Sequence, residues 1–274
     1  MIFKCFILPI IFFCTCSNMA ICEVIKIKDF ALLRDYFKTI EKNTLVIFDI
    51  DDVILMPTDE FNMDTEIRKK LTNVLKQKYT KEERRLLYSI VLSKRKVKLV
   101  DSKIKMLFED LTKMRIPVTA LTSWWTGSYG KIANMESIRF SDLKQVDISF
   151  KNISPFTKDT KLKGFKADKG IPMIKHGIIL TATHDKGKVL KQSLELFGLS
   201  YKNIILVDDQ LINIKSVEKI CQQTKINFTG LHYTFVQQMP PIIHDMEKEK
   251  LRYEVLKKEH IWLTNNEFQE RFPL

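Results

Sequence analysis

Residues 44–55 read TLVIFDIDDVIL, and this stretch constrains the chain more than any other. Leu45, Val46, Ile47 and Phe48 form an apolar run without alternation, which predicts a strand covered on both faces. The run stops abruptly at Asp49, Asp51 and Asp52. Carboxylates are almost never buried unless they are paired or bind a metal. Three of them at the end of a buried strand therefore point to a cation. Side chains alternate along a strand, so Asp49 and Asp51 are expected on one side, with Ile50 pointing away.

A second acidic pair follows the same pattern. Asn203-Ile204-Ile205-Leu206-Val207 reads as another buried strand and ends at Asp208-Asp209. Open parallel sheets gather their sites at the carboxyl ends of strands. Two such strands side by side would bring up to five carboxylates together. Like charges at that density raise each other's pKa unless a cation offsets them. Oxygen-only ligands favour Mg²⁺ over zinc or copper. The plainer reading is that each acid pair caps the helix that follows, since Asp is a favoured N-cap.

Two further strands carry polar ends. Ile116 to Leu121 is strand-like and runs into Thr122-Ser123, where a hydroxyl and free backbone N–H groups suit an anionic oxygen. Gly177 to Ala182 is strand-like too, and Thr183-His184-Asp185-Lys186-Gly187 leads into a helical pattern at Val189, Leu190, Leu194 and Phe197. Lys186 stands near the start of that helix, where its charge would offset a phosphate and the carboxylates. Taken singly, a Thr after a strand is a common turn residue and a Lys is commonly solvated. Trp124-Trp125 directly follow Thr122-Ser123, and either pocket lining or burial accounts for them.

The order Asp-x-Asp, Thr/Ser, Lys, Asp-Asp resembles the haloacid dehalogenase-like (HAD) superfamily over about Thr44 to Glu218. Asp49-Ile50-Asp51 looks like its first motif, Thr122 its second, Lys186 its third and Asp208-Asp209 its fourth. The resemblance implies an α/β fold: a Rossmann-like core with a central, mostly parallel sheet plus helical cap-type inserts. It implies Mg²⁺-dependent phosphoryl transfer, with Asp49 as the nucleophile forming an aspartyl-phosphate. Asp51 would be the general acid/base. Thr122, Ser123 and Lys186 would hold the phosphoryl oxygens. Asp49, the backbone carbonyl of Asp51 and Asp208 would bind the metal, with Asp209 helping directly or through water. Superfamily members that cleave carbon–halogen bonds lack the second Asp, so Asp51 favours phosphate chemistry. Val53 stands where the superfamily usually has Thr, a loss of one hydroxyl hydrogen bond worth ~1 kcal/mol. More narrowly, the chain looks like an exported bacterial HAD-like family of unknown function. The HAD acid phosphatases are more distant relatives.

The amino terminus points to export. Met1-Ile2-Phe3-Lys4 carries one positive charge, Cys5 to Cys16 is apolar apart from Thr15, and Ser17-Asn18-Met19-Ala20 follows. This is the layout of a secretory signal peptide, assigned to residues 1–22 with cleavage near Ala20 to Cys22. A lipid anchor on Cys16 or Cys22, an uncleaved anchor and a buried first strand are the alternatives. Cys221 is the one cysteine far from this segment, and no disulfide framework or C-x-x-C spacing exists.

Residues 23–274 suit one domain with inserts at about 57–100 and 124–175. Residues 64–92 read as helical and 102–113 as a helix. A helix from Ile132 to Lys144 lies in the second insert. The net charge of +12 comes mostly from scattered Lys. Ser93-Lys94-Arg95-Lys96-Val97-Lys98 reads as a solvated face, since no nucleic-acid motif accompanies it. The reading is an exported phosphatase of phosphate monoesters, periplasmic or secreted, acting on a small phosphorylated substrate. No stable membrane span is expected once the signal is removed. The alternatives are a secreted HAD-fold binding or effector protein with little turnover, and a phosphotransferase. Substrate identity and oligomeric state do not follow from the sequence.

Overall fold

The structure, a computed structural model, describes residues 20–240 and 245–273 apart from positions 64 and 168. Most of the expected signal peptide lies outside the described residues, as does His244, where the sequence pattern predicts the start of an amphipathic helix running to Glu259. Among the described residues, no helix is long and apolar enough to cross a membrane.

The chain begins with β1 (Cys22–Ile27), α1 (Phe30–Phe37), β2 (Thr44–Phe48) and β3 (Leu55–Pro57). Next come α2 (Glu60–Met63), α3 (Thr65–Lys78), α4 (Lys81–Ser93), β4 (Val97–Leu99), α5 (Ile104–Lys113) and β5 (Val118–Thr122). The second half holds α6 (Met135–Gln145), β6 (Thr160–Lys161), β7 (Met173–Lys175), β8 (Ile178–Leu180), α7 (Lys186–Phe197), β9 (Asn203–Asp208), α8 (Leu211–Thr224) and β10 (Asn227–Tyr233). It closes with α9 (Met246–Glu259) and α10 (Asn265–Arg271).

The main sheet has eight strands in the order β1-β10-β9-β2-β5-β8-β7-β6. Pairing is parallel from β1 to β8, and β7 runs antiparallel to both β8 and β6. The fold is therefore α/β, with β2 and β9 adjacent at the centre. The unbroken apolar run of β2 is explained by its two covered faces. Val46 and Phe48 pack with α1 and α5 on one side, where Phe48 lies 6.0 Å from Phe37 and 5.0 Å from Phe108, ring centre to ring centre. Leu45 and Ile47 pack on the other side against Val189, Leu190, Ile214 and Val217 of α7 and α8. Each such side chain contributes about 1.5–3 kcal/mol through burial.

Between β3 and β4 the chain leaves the sheet as helices. β3 and β4 pair antiparallel and close the base of this excursion. The helical stretch expected over 64–92 is two helices, split at Tyr79-Thr80. There a capping box between Thr80 and Glu83 starts α4. These helices bury Phe61, Leu75, Leu87 and Val91 against Tyr253, Leu256 and Trp262 from the carboxyl-terminal segment. Arg252 of α9 fastens this contact: its guanidinium reaches Asp59 at 2.5 Å and Glu249 at 2.9 Å, over the face of Trp262.

Several elements differ from the sequence expectations. β1, β3, β4, β6, β7 and α10 have no counterpart in the sequence expectations, and the four strands β3, β4, β6 and β7 are only two or three residues long. The sequence pattern predicts a helix from Asp29 to Lys42, and α1 ends earlier, at Phe37. In the segment 124–175 the expected helix is α6, and β6 and β7 add two strands to the main sheet. Cys221 is buried in α8.

Candidate active site

Asp49 is the first residue after β2. Its N–H donates to Val207 of β9 at 2.8 Å, so the ladder holds it between the two central strands. Its Oδ1 accepts from the N–H of Ile50 at 2.8 Å. The side chain is buried.

Lys186 is also buried, and its ammonium lies 3.0 Å from Asp49 Oδ1 and 2.6 Å from Asp208 Oδ2. Two local features deliver it there. Ala182 and Thr183 both take left-handed backbone angles (φ 49° and 67°), a costly turn for residues with a Cβ. Asp185 then caps α7 by accepting from the N–H of Lys188 at 2.8 Å. Gly187 lets α7 press on α8: a Cβ there would sit 2.2 Å from the Ser216 carbonyl oxygen. Its N–H instead donates to Ser216 Oγ at 2.8 Å.

Asp208 ends β9 with no exposed surface. Its Oδ1 accepts from Gln210 N–H and Asn213 Nδ2, each at 2.9 Å. Asp209 follows, hydrogen-bonded by Gln210 Nε2, and its carbonyl accepts from His232 Nε2 at 3.0 Å. One carboxylate oxygen from each of Asp49, Asp208 and Asp209 lies within 4.8 Å of the others.

Three carboxylates against one ammonium leave a buried negative excess. Burial pushes the Asp49 carboxyl well above its usual range, and Asp208, Asp51 and Asp209 add to this against the pull of Lys186. Burial also raises Asp209 to about 6, partly offset by Gln210. Burial opposes the charge on Lys186, but Asp49 and Asp208 outweigh it and hold the ammonium above its ordinary value. A divalent cation fits this donor set: the ligands are all oxygen, and the missing charge is positive.

Asp51 lies elsewhere. Its Oδ1 accepts from Arg95 Nη2 at 2.7 Å, and its Oδ2 pairs with Arg139 Nη2. Its carboxylate is outside the three-acid cluster, and only its backbone remains for the metal role that the resemblance implies. The reason is local: the strand ends at Phe48, and Asp52 turns left-handed (φ 59°), so strand alternation no longer applies. Burial opposes ionisation of Asp51, but Arg139 and Arg95 overcome it and hold the carboxyl below the usual range. Both arginines are also close to the buried Asp142, and their guanidiniums lie 4.1 Å (Arg139) and 5.2 Å (Arg95) from the Trp124 ring centre.

Thr122 is buried as the last residue of β5, the strand beside β2. Its carbonyl accepts from Thr181 N–H at 2.9 Å. Ser123, one residue further, is exposed. The Thr181 hydroxyl is buried at the end of β8 and has no partner among the described residues.

Arg95, Arg139 and Thr181 escaped sequence reading. Arg95 sits in the lysine-rich run read as a solvated face, and nothing local marks it. Arg139 did leave a signal: Met135, Arg139, Asp142 and Leu143 share the buried face of α6, so an opposite-charge pair interrupts an apolar stripe. Of the two tryptophans, Trp124 is partly buried and donates from Nε1 to the Met135 carbonyl at 2.7 Å.

A family described as "Protein of unknown function (DUF2608)" matches residues 26–269, a span that includes every residue of this site. The chain belongs to that family. No curated protein matches this DUF2608 chain. Among solved structures it is similar to a haloacid dehalogenase-like family hydrolase from Streptococcus pneumoniae, at 13% identity and a TM-score of 0.37, covering 68% of this chain and 93% of that one. It is also similar to a HAD-superfamily hydrolase of subfamily IA from Geobacter sulfurreducens, at 13% identity and a TM-score of 0.35, covering 69% and 90% respectively. A HAD family hydrolase from Salmonella enterica serovar Typhi shares 12% identity at a TM-score of 0.33, with 73% of each chain covered.

Proposed function

We propose that this DUF2608 protein is an exported bacterial, Mg²⁺-dependent phosphatase that hydrolyses phosphate monoesters through an aspartyl-phosphate on Asp49. The observation that carries the reading is the buried Asp49–Lys186–Asp208 array beside Asp209, at the carboxyl ends of the two central strands. The charged, then apolar, then small and polar start of the sequence supports export.

Asp49, Asp208 and Asp209 would hold the cation, with the backbone carbonyl of Asp51. When bound, it would keep these carboxylates ionised and offset charge on the phosphoryl oxygens. In the first step an Asp49 oxygen attacks phosphorus, and the ester P–O bond breaks with its electron pair going to the leaving oxygen. In the second, water attacks phosphorus, Asp51 takes a proton from it, and the bond to Asp49 breaks to regenerate the carboxylate. Lys186, the Thr122 hydroxyl and groups at Ser123 hold the non-bridging oxygens. The arginine pair keeps Asp51 ionised but also weakens it as a proton acceptor, so proton transfer to Asp51 in the second step requires the pairing to loosen. The leaving group of the first step then departs best when it needs little protonation.

The test is hydrolysis of p-nitrophenyl phosphate by wild type and Asp49→Asn, each with Mg²⁺ and with chelator. Turnover should require both Asp49 and Mg²⁺. Turnover that survives Asp49→Asn would rule the reading out. A second reading, a secreted binding protein with little turnover, draws support from Asp51 being tied to two arginines. Folded wild type that binds Mg²⁺ but turns over no ester would favour it.

A further inference from the structure

A cavity of about 860 Å³ opens among α3, α4, α9 and the loop after β5, and no role above uses it. We propose that it binds a nucleotide-class ligand, a planar ring carrying two or more negative charges. The inference goes beyond the phosphatase reading and does not depend on turnover at Asp49.

The first observation is charge. Lys69, Lys76, Lys81, Arg84, Arg85 and Lys169 line the cavity, and no carboxylate does among the described residues. Among the described residues, only Lys69 of these has an acidic partner, Glu66 at 2.9 Å. Lysines without an acidic partner are common on a chain of net charge +12; what sets these cations apart is that they converge on one concavity. Five unmatched cations around one concavity repel each other, and an anion of at least two charges relieves that repulsion.

The second observation is shape and lining. Leu75, Leu87, Val91 and Leu256 give the cavity an apolar floor. Trp125 and Tyr129 form one wall with ring centres 4.6 Å apart, and Tyr88 stands beside both. Lys169 Nζ lies 5.5 Å from the Trp125 ring centre, and the Arg85 guanidinium 5.8 Å from that of Tyr129. Cations held against aromatic rings beside an apolar floor suit a flat ring joined to phosphates. A sugar phosphate would leave the aromatic wall unused. The volume falls within the ~300–1,000 Å³ of small-molecule sites, so a nucleotide fits better than a polymer. The cavity also adjoins the chemistry through the chain, since Trp125 follows Trp124, the ring against the arginines that hold Asp51.

The probe is adenosine 5′-diphosphate, titrated by calorimetry and by tryptophan fluorescence, with chelator present so that the acidic cluster holds no metal. Ribose 5-phosphate, adenosine and inorganic phosphate are the comparisons, and vesicles with an anionic lipid are a further arm. The protein should bind the diphosphate about tenfold or more tightly than any comparison compound, weakening with salt. The exposed pair Lys76→Gln with Lys81→Gln should reduce that affinity by about tenfold without unfolding the protein. Trp125→Leu should reduce it too, while Asp49→Asn should not. Equal affinity for ribose 5-phosphate, indifference to the lysine pair, loss of binding in Asp49→Asn, or vesicle binding in place of nucleotide binding would each overturn the proposal.

Discussion

Asp49 and Asp51 stand two residues apart and titrate in opposite directions. Asp49 is desolvated among other acids, whereas Asp51 is held by Arg95 and Arg139. One consequence concerns metal binding. A carboxylate whose pKa is raised holds a proton that a cation must displace. Mg²⁺ affinity should therefore climb as pH rises through about 6, the value for Asp209, and keep climbing while Asp49 ionises. Without metal the sign for stability is the reverse. The folded chain binds protons that the unfolded chain releases above its ordinary carboxylate range, so stability falls as pH rises over that window. Calorimetric Mg²⁺ titrations across pH check the first point, and a flat affinity would contradict it. A second consequence concerns Arg139, which is fully buried against Asp51 and Asp142. Arg139→Met should destabilise by about 3–5 kcal/mol in denaturant unfolding, because it strands buried negative charge. A loss under ~1 kcal/mol, the scale of a surface pair, would show that the pairing is solvated.

At the scale of elements, the register of α7 against α8 decides where Lys186 points. Gly187→Ala would place a methyl 2.2 Å from the Ser216 carbonyl, which is backbone and yields only if the helices part. The expected cost is about 1–3 kcal/mol. Phosphatase activity should fall further than stability alone explains, because Lys186 moves with the helix. Full activity in a Gly187→Ala protein would mean that this contact does not position Lys186. The central elements could be read from sequence because β2, β5, β8 and β9 are covered on both faces and end in polar residues. β6, at the sheet edge, and β7 beside it are two and three residues long, too short for any period to show. β1 lies where the signal peptide was expected to end, and an apolar start masks an edge strand.

For the whole molecule, what sequence reading missed is what depends on distant segments meeting. α9 packs on the helices between β3 and β4, with Arg252 joined to Asp59 across 193 positions. Arg95 and Arg139 come from different segments and meet only at Asp51. No local pattern marks such pairs, whereas Asp49, Lys186 and Asp208 each close or open a regular element and so carry a local signature. The central claim is that Asp49 is the nucleophile of a phosphoryl transfer. Its most direct test is to trap the enzyme during turnover of p-nitrophenyl phosphate, reduce it with borohydride, and map the product by peptide mass spectrometry. The account predicts homoserine at position 49, formed only with Mg²⁺ and only while ester is being consumed. Turnover with an unmodified Asp49, or with the modification at another carboxylate, would contradict it.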